Sequence, residues 1–248
     1  GLEIYESLLS IQHRGQDGAG ICYIDNNEDK MIKGKGLIYN LFSYDELCNM
    51  SSKIFLGHTR YKTNEIKDSF QPVILKSNNL KICFSHNGNI INVKNIESIL
   101  ENIYNIKNSK IVSDSFLLFQ LIFNFLKNEI ENNITNQNIV NLSNYLHENV
   151  TGSFSIIMYI EDFGLVIMKD KFGIRPLIYG TNKNNDILVS SESCSLNNVL
   201  SYNVIDEVNA GETIVFSNRM EKYKYQFKYS DLRPCLFEYI YFSRLDSI

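Results

Sequence analysis

The sequence predicts an α+β fold built on antiparallel sheets. Three observations point to it: the elements run in the order strands, helices, strands; the last third holds short strands separated by Gly, Asn and Asp turns; and the helices carry apolar stripes. The 248 residues are 44% hydrophobic and 21% charged, which supports a sizeable core and excludes global disorder. No linker or internal repeat interrupts the chain, so one domain is predicted over residues 1–248.

The first part of the chain is predicted to hold one helix and four strands, with a short helix as an option after the Gly-rich bend in "MIKGKGLIYNLF". In "EIYESLLSIQ", Ile4, Leu8 and Ile11 recur at helical spacing. The strands lie in "ICYI", "MIKGKG", "KIFLGHTRY" and "NLKICFSH", with a loop over residues 62–72 before the last of them. That last strand is predicted to end at "HNGN", because polar or very small residues follow an apolar run and Asn-Gly is a strong turn signal.

Three helices and a series of strands are predicted after residue 90. The helical segments are "NVKNIESILENI", "SDSFLLFQLIFNFLKNEI" and "NQNIVNLSNYLHEN", and Ser113 is placed to cap the second of them. From Gly152 onward the pattern becomes that of short strands, namely "SFSIIMYI", "GLVIMKD", "PLIYG", "DILVS", "ETIVFS" and "KYKYQF".

Charge and cysteine content argue against several classes of protein. A net charge of −4 without a Lys/Arg-rich run disfavours nucleic acid or an anionic membrane surface as a partner. No apolar run approaches the length of a membrane span. Five scattered cysteines with no CxxC pair predict a reduced, cytoplasmic protein, in which Cys22 and Cys83 are core thiols.

Two common kinds of site find no support in the sequence. Gly34 and Gly36 lack the full phosphate-loop pattern and are interpreted as bend residues. His13, His58 and His86 each lie near a polar strand end, but no two are spaced like ligands on one element. No metal site is therefore predicted.

Three polar positions have both a structural and a functional interpretation. Arg60 is either a surface arginine or a guanidinium fork for a carboxylate. Asp114 is either a second capping residue, which the helix dipole favours at a helix N-terminus, or an acceptor for a ligand's ammonium group. The Asn87-Gly88 pair is either a turn or a source of donors for an oxyanion. Taken together, the functional interpretations describe a clamp for an amino acid.

The motifs resemble, in their order along the chain, those of the amidophosphoribosyltransferase family. They are "QHRGQDGAG", "GHTRYKT", "QPV", "SHNGN", "SDS", "GSFSIIM", "GIRPLIYG", "SSESCSL" and "FEYIYFSRLDS". The resemblance covers essentially the whole chain and is to the family's N-terminal class II glutamine amidotransferase domain. It implies an N-terminal-nucleophile hydrolase fold, in which two antiparallel sheets lie between helical layers in an αββα sandwich.

The resemblance also implies roles for particular residues. Arg60 would bind the α-carboxylate of glutamine and Asp114 its α-ammonium group. Asn87, through its side chain, and Gly88, through its backbone N–H, would form the oxyanion hole. Tyr61 and His86 are expected to be further substrate-binding residues. The implied activity is release of ammonia from glutamine for transfer to phosphoribosyl pyrophosphate, in the first committed step of purine synthesis.

The nucleophile of this family is a cysteine that is the first residue of the mature chain. Its own α-amine serves as the general base, as in N-terminal threonine nucleophiles. The present sequence begins at Gly1, and none of its five cysteines has a free α-amine. We therefore expect that residues upstream have been lost and that the chain as printed does not hydrolyse glutamine.

The C-terminal end is expected to be a junction. Residues 235–248 are similar to the segment that leads into the family's phosphoribosyltransferase domain, where Mg²⁺ is expected. Cys235 stands where some members place an iron–sulfur ligand and others keep a cysteine without a cluster, so no cofactor is assigned within the chain. The expected partners are glutamine, that second domain and further copies of the chain.

Two departures and two alternatives remain open. Lys62 replaces a small residue after "RY", and Leu245 replaces the proline of "RPDS", which leaves the glutamine loop and the rigidity of the junction in question. One alternative is another class II amidotransferase, of the glucosamine-phosphate synthase type. The other is a non-catalytic regulatory module that binds glutamine without cutting it.

Overall fold

The computed structural model describes residues 1–25, 28–62, 70–107, 112–130, 133–197, 202–219 and 221–247. The chain forms two compact units. The first unit comprises Gly1–Pro72, Pro176–Val208 and Cys235–Ile248, and the second comprises Val73–Arg175 and Asn209–Pro234.

Runs of strands and runs of helices follow one another along the chain. The helices are α1 (Leu2–Ser10), α2 (Tyr44–Asn49), α3 (Val93–Tyr104), α4 (Asp114–Glu129), α5 (Asn136–Asn149) and α6 (Cys194–Asn197), with 3-10 turns at Gln12–Arg14 and Ile38–Asn40 and a π-helical turn at Glu238–Phe242. The strands are β1 (Gly18–Asp25), β2 (Glu28–Lys35), β3 (Phe55–Arg60), β4 (Val73–Lys76), β5 (Lys81–Ile90), β6 (Gly152–Ile160), β7 (Gly164–Lys169), β8 (Ile178–Thr181), β9 (Ile187–Ser190), β10 (Asn203–Glu207), β11 (Glu212–Ser217) and β12 (Lys222–Gln226).

Two three-stranded antiparallel sheets form the framework of the first unit. Their strand orders are β2-β1-β3 and β10-β8-β9. Leu8 of α1 packs with Ile21 of the central strand β1 and with the buried side chains of Ile38, Phe42, Leu47 and Met50. Burial of these apolar side chains stabilises the position of β1. Because β1 pairs with β3, Arg60 at the end of β3 lies opposite Gly18.

A six-stranded antiparallel sheet and three helices form the second unit. The strand order is β12-β11-β7-β6-β5-β4, and α3, α4 and α5 contribute to the core on one face of the sheet. Alternate residues of β5 face these helices, as shown by Phe84, whose ring stacks on Phe119 of α4 at 4.7 Å. Within α4 the buried residues surround most of the helix, because it lies over the centre of the sheet.

The prediction that the β5 strand ends at "HNGN" is wrong. The strand continues through these residues to Ile90, and Asn87, Gly88 and Asn89 pair with Ser155, Phe154 and Ser153 of β6. Pairing with β6 over the whole length of β5 outweighs the local turn preference of Asn-Gly, since tertiary context overrides such preferences. The predicted N-cap is confirmed: the Ser113 side chain accepts a hydrogen bond from Phe116 N.

Several short elements were not predicted from the sequence, namely α2, β4 and β10. Each has only four to six residues, too few for apolar periodicity to distinguish them from loops. Most of the predicted loop over residues 62–72, and half of the predicted turn at "NNED", lie outside the described residues.

Among the residues described, no helix is both long and apolar enough to cross a membrane. In the same part of the chain, no three His, Cys, Asp or Glu side chains converge as metal ligands would. The five cysteines are free thiols, and Cys22 and Cys83 are buried in β1 and β5, as expected from their apolar surroundings.

Candidate active site

The first part of the candidate site is one edge of β5, where backbone N–H groups extend past the end of β4. β4 pairs with β5 only as far as Phe84, so among the described strands none pairs with the same edge over residues 85–90. Ile91 N donates to Thr151 O on the β6 side. Because successive N–H groups in a strand alternate between its two edges, the N–H groups of Gly88 and Ile90 point to the edge that β4 leaves open.

Gly88 is required at its position by close packing. A Cβ added there would overlap the carbonyl oxygen of Ser153 and Nε2 of His86. The carbonyl is backbone and the His86 ring is buried, so neither can easily move aside. Position 88 therefore accepts only glycine, which lets another group approach the backbone N–H closely.

Asp114 is bound to the same strand edge. It is the first residue of α4, and its Oδ2 accepts a hydrogen bond from Ile90 N at 2.9 Å. Ile90 and Gly88 are two residues apart, so their N–H groups are separated by about 7 Å along the strand. The structure thus brings a carboxylate and a backbone donor, both predicted from the sequence, to one edge of β5.

The Asn87 side chain lies on the face of the sheet that is opposite the helices. Its neighbour His86 faces α4, where its ring meets Phe119 edge-on, so alternation places Asn87 on the other face. No hydrogen bond joins the Asn87 carboxamide to another residue in the described part of the chain. Its donors are therefore available to a ligand.

His86 is buried and engaged through both ring nitrogens. Nδ1 lies 2.8 Å from Ser115 Oγ, and Nε2 lies 3.4 Å from the carbonyl oxygen of Ser153. Burial lowers the pKa of His86 to about 4, against the opposing effect of the Asp114 charge. The ring is thus neutral near pH 7, and its geometry suits support of the strand rather than direct contact with a substrate.

Arg60 lies in the first unit, at the end of β3, and is nearly buried. Its guanidinium lies over the ring of Phe70, with 5.1 Å between Cζ and the ring centroid. Asp17 N donates to Arg60 O, and Lys62 N donates to Asp17 Oδ2 at 2.8 Å. A Cβ at Gly15 would lie 2.5 Å from the carbonyl carbon of Arg60. The "QHRGQD" segment therefore wraps around Arg60 and fixes its backbone.

Tyr61 is half-exposed and contacts the C-terminal part of the first unit. Its ring packs edge-on against Phe242 of the π-helical turn, with the centroids 5.4 Å apart. Lys62 is exposed and takes part through its backbone N–H, so the departure from a small residue at this position leaves the bond to Asp17 intact.

A buried ionic network in the first unit was not predicted from the sequence, although its motifs were noted. Arg14 donates to Glu192 Oε1 at 2.6 Å and to Glu238, and His13 Nε2 lies 2.8 Å from Glu192 Oε1. Glu192 Oε2 also accepts from Arg244 N at 3.0 Å and from Ser247 Oγ at 2.7 Å. The network joins "QHRGQ" and "SSESC" to the C-terminal segment.

The Glu192 carboxylate is held in its charged form. Burial alone raises its pKa, but the hydrogen bonds from His13, Arg14, Arg244 N and Ser247 outweigh burial and lower the pKa to about 2. A signal for this network did exist, because the charged residues Arg14 and Glu192 both lie within the family motifs.

The chain matches the family of the glutamine amidotransferase domain over residues 58–198, more than half its length. The chain belongs to the glutamine amidotransferase family. The matched range contains Arg60, Asn87, Gly88 and Asp114.

Relatives of this glutamine amidotransferase domain include the amidophosphoribosyltransferases of Haemophilus influenzae and Archaeoglobus fulgidus, with 32% and 31% identity over 98% of the chain. A solved structure of glutamine phosphoribosylpyrophosphate amidotransferase from Bacillus subtilis, complexed with ADP and GMP, superimposes with a TM-score of 0.83 at 30% identity. It covers 100% of this chain and 51% of its own. The chain thus spans about half the length of the relatives it matches.

These similarities confirm the family resemblance and the fold class predicted from the sequence. The relatives are enzymes, and this glutamine amidotransferase domain has the same fold as the part of the Bacillus subtilis structure that it matches. The roles predicted for Arg60, Asn87, Gly88, Asp114, Tyr61 and His86 stay predictions. An iron–sulfur cluster needs about four thiolates; among the described residues no cluster of ligands forms around Cys235, so no step is assigned to such a cluster.

Proposed function

We propose that this chain is the glutaminase part of an amidophosphoribosyltransferase, which releases ammonia from glutamine for transfer to phosphoribosyl pyrophosphate. The open edge of β5 carries the proposal. The Gly88 N–H lies about 7 Å along this edge from the Ile90 N–H that binds Asp114. The Gly88 N–H would donate to an amide oxygen, and the Asp114 carboxylate would accept from an ammonium group. Their spacing suits glutamine, whose side-chain amide carbon is three carbon–carbon bonds from Cα.

In this proposal the two ends of glutamine are bound by opposite charges. The Arg60 guanidinium binds the α-carboxylate through two parallel hydrogen bonds, which its planar fork allows. Asp114 binds the α-ammonium group with its remaining lone pairs, while Oδ2 keeps the bond from Ile90 N. Tyr61 adjoins Arg60, and His86 supports the strand beneath Gly88.

The chemistry is acyl transfer to a cysteine. The proposed nucleophile is the first residue of the mature chain, and its α-amine takes the thiol proton as the sulfur attacks the amide carbon. Negative charge then develops on the amide oxygen, where Asn87 Nδ2–H and Gly88 N–H donate to it. Collapse of this intermediate breaks the C–N bond, the amine returns the proton to the leaving nitrogen, and ammonia departs. Water then hydrolyses the γ-glutamyl thioester to glutamate.

The C-terminal segment of the chain is proposed to contact a phosphoribosyltransferase domain of the same polypeptide. Its exposed side chains are largely apolar: Leu236, Phe237, Tyr239, Ile240, Tyr241 and Leu245. Exposed apolar residues clustered in one segment are typical of interaction surfaces. In this proposal, Mg²⁺ and the phosphoribosyl chemistry belong to that second domain. The proposal also includes assembly of the protein into a homo-oligomer.

The first experiment determines the N-terminal residue of the natural full-length protein by intact mass, then measures ammonia release from glutamine. We expect an N-terminal cysteine and measurable turnover. A polypeptide that begins at Gly1 is expected to bind glutamine without hydrolysing it. A natural N-terminus other than cysteine, together with glutamine binding and no turnover, would instead favour the regulatory module.

A variant tests the carboxylate-binding role in the active protein. Arg60→Lys is expected to raise the KM for glutamine about tenfold or more, because a bidentate fork becomes a single point charge. Lys62→Met is the matched control, since the described role of Lys62 is through its backbone N–H. Equal KM values for the Arg60→Lys and Lys62→Met variants would remove Arg60 from this role.

A further inference from the structure

Two hydrogen bonds connect the first turn of α4 to β5, one at the open edge of the strand and one on its helix-facing side. Asp114 Oδ2 accepts from Ile90 N at 2.9 Å, and Ser115 Oγ lies 2.8 Å from His86 Nδ1. Gly88 lies midway between His86 and Ile90 along the strand. Consecutive residues of one helix thus hold the strand on both sides of the proposed oxyanion donor.

The His86 ring is the part of this connection that touches Gly88. The space a Cβ at Gly88 would need is already filled by His86 Nε2 and Ser153 O. The ring also packs edge-on against Phe119, with 6.4 Å between centroids, and is buried. A shift of the ring would therefore shift the peptide that carries the Gly88 N–H.

The hydrogen-bond partners determine which nitrogen of His86 carries the proton. The carbonyl oxygen of Ser153 can only accept, so Nε2 must donate to it. In a neutral ring Nδ1 is then an acceptor, and the Ser115 hydroxyl must be the donor. Alanine at position 115 would remove the hydroxyl that donates to Nδ1.

We propose that Ser115 is a positioning residue of the glutaminase site: its hydroxyl holds the His86 ring against Gly88, so that the Gly88 N–H stays aligned with the developing oxyanion. The neighbouring Asp114 holds the substrate ammonium from the same helical turn. This inference rests on the proposed function. It assigns Ser115 an effect on the chemical step rather than on glutamine binding, since Arg60 and Asp114 are untouched by its removal.

The kinetic test uses the natural full-length protein. Ser115→Ala is expected to lower kcat for glutamine hydrolysis about tenfold with KM within about twofold, and to weaken binding of the γ-aldehyde of glutamate, whose thiohemiacetal oxygen occupies the oxyanion position. Ser115→Thr keeps the hydroxyl and is expected to restore kcat. Ser113→Ala is the matched control, because it removes the N-cap bond to Phe116 N from the same helix without touching His86.

A kcat for Ser115→Ala equal to that of the unaltered protein, or equal losses in Ser115→Ala and Ser113→Ala, would overturn the proposal. Nuclear magnetic resonance gives a readout that does not depend on activity. The His86 ring is expected to be protonated on Nε2, and Ser115→Ala is expected to shift the Gly88 amide signal more than Ser113→Ala does. Absence of that shift overturns the inference about Ser115. Absence of glutamine turnover in the unaltered protein overturns the proposed function together with the catalytic role of Ser115 that rests on it, whereas the shift of the Gly88 signal still tests the contact of Ser115 with His86.

Discussion

The backbone N–H of Ile90 donates to Oδ2 of Asp114 at 2.9 Å, so one carboxylate joins helix α4 to the open edge of β5. The same carboxylate stands at a helix N-terminus, where the helix dipole favours negative charge. Asp114 thus has an observed structural role and a proposed binding role, and substitutions can separate the two.

Asp114→Asn is expected to impair glutamine binding while preserving the fold. The amide oxygen still accepts from Ile90 N, but the charge that attracts an ammonium group is lost. We expect the KM for glutamine to rise about 10- to 100-fold, from the ~1.5–3 kcal/mol of a charge-assisted hydrogen bond. Asp114→Ala removes the Ile90 bond as well and should also lower the melting temperature. Equal KM values for the Asn variant and the unaltered protein would exclude an ammonium-binding role.

Asn87→Ala is expected to reduce the rate of the chemical step. Loss of one oxyanion donor typically lowers kcat by about 10²–10³-fold, and the KM for glutamine should change little. The matched control is Asn89→Ala on the same strand, whose side chain is exposed. Steady-state kinetics of both variants decide the matter: a kcat for Asn87→Ala close to that for Asn89→Ala would place the donor elsewhere.

Arg14→Met is expected to destabilise the first unit strongly. It would leave the buried carboxylates of Glu192 and Glu238 without their guanidinium, and breaking a buried pair on one side costs ~3–5 kcal/mol. Arg244→Met is the control, because its side chain pairs with Asp246 at the surface, where ion pairs contribute little to stability. Urea denaturation measures both, and similar midpoints for the two variants would contradict the prediction.

The free energy of unfolding is expected to decrease as the pH is lowered, in two separate pH ranges. The unfolded chain binds a proton on His86 below about pH 6.5, whereas the folded chain does so only near pH 4, so folding loses up to ~3 kcal/mol between these values. The pKa of His147 is lowered by burial as well and acts in the same direction. The lowered pKa of Glu192 gives stability that is present above about pH 4.5 and is lost toward pH 2.

Unfolding midpoints measured from pH 7.5 to 3.5 test the upper window. His86→Gln should reduce the loss of stability between pH 6.5 and 4 relative to the unaltered protein, because a non-titrating side chain replaces the ring. An unchanged pH dependence in that variant would show that His86 does not carry the effect.

The sequence was sufficient to predict the long elements, whereas the roles of the candidate residues stay predictions. α4 and α5 were predicted from their apolar stripes, and α4 also from its cap Ser113; the cap of α5, Thr135, was found only in the structure. The course of β5 through Gly88 was not predictable in this way. Its pairing with β6 involves residues more than 60 positions away, and no local pattern reports such a partner.

The buried network around Glu192 was also beyond local patterns. Arg14, Glu192 and Glu238 come from three distant segments, and a charged residue in sequence is normally expected at the surface. Only the fold shows that one guanidinium pairs with both carboxylates in a place from which water is largely excluded. The motifs marked these positions as unusual, and the structure supplies the physical reason.

The shortness of β4 has a consequence for how the protein avoids unwanted assembly. An unpaired strand edge is ordinarily a hazard, because the edge strand of another molecule can add to it. Here the edge left open beyond Phe84 is met at Ile90 by Asp114, and Ser115 binds the His86 ring on the adjoining face of β5. A second polypeptide would have to displace the helix terminus at Asp114 to extend the sheet, whereas a small molecule would need only the Gly88 N–H. The same stretch of backbone thus disfavours the addition of another strand without blocking the small molecule that is proposed to bind there.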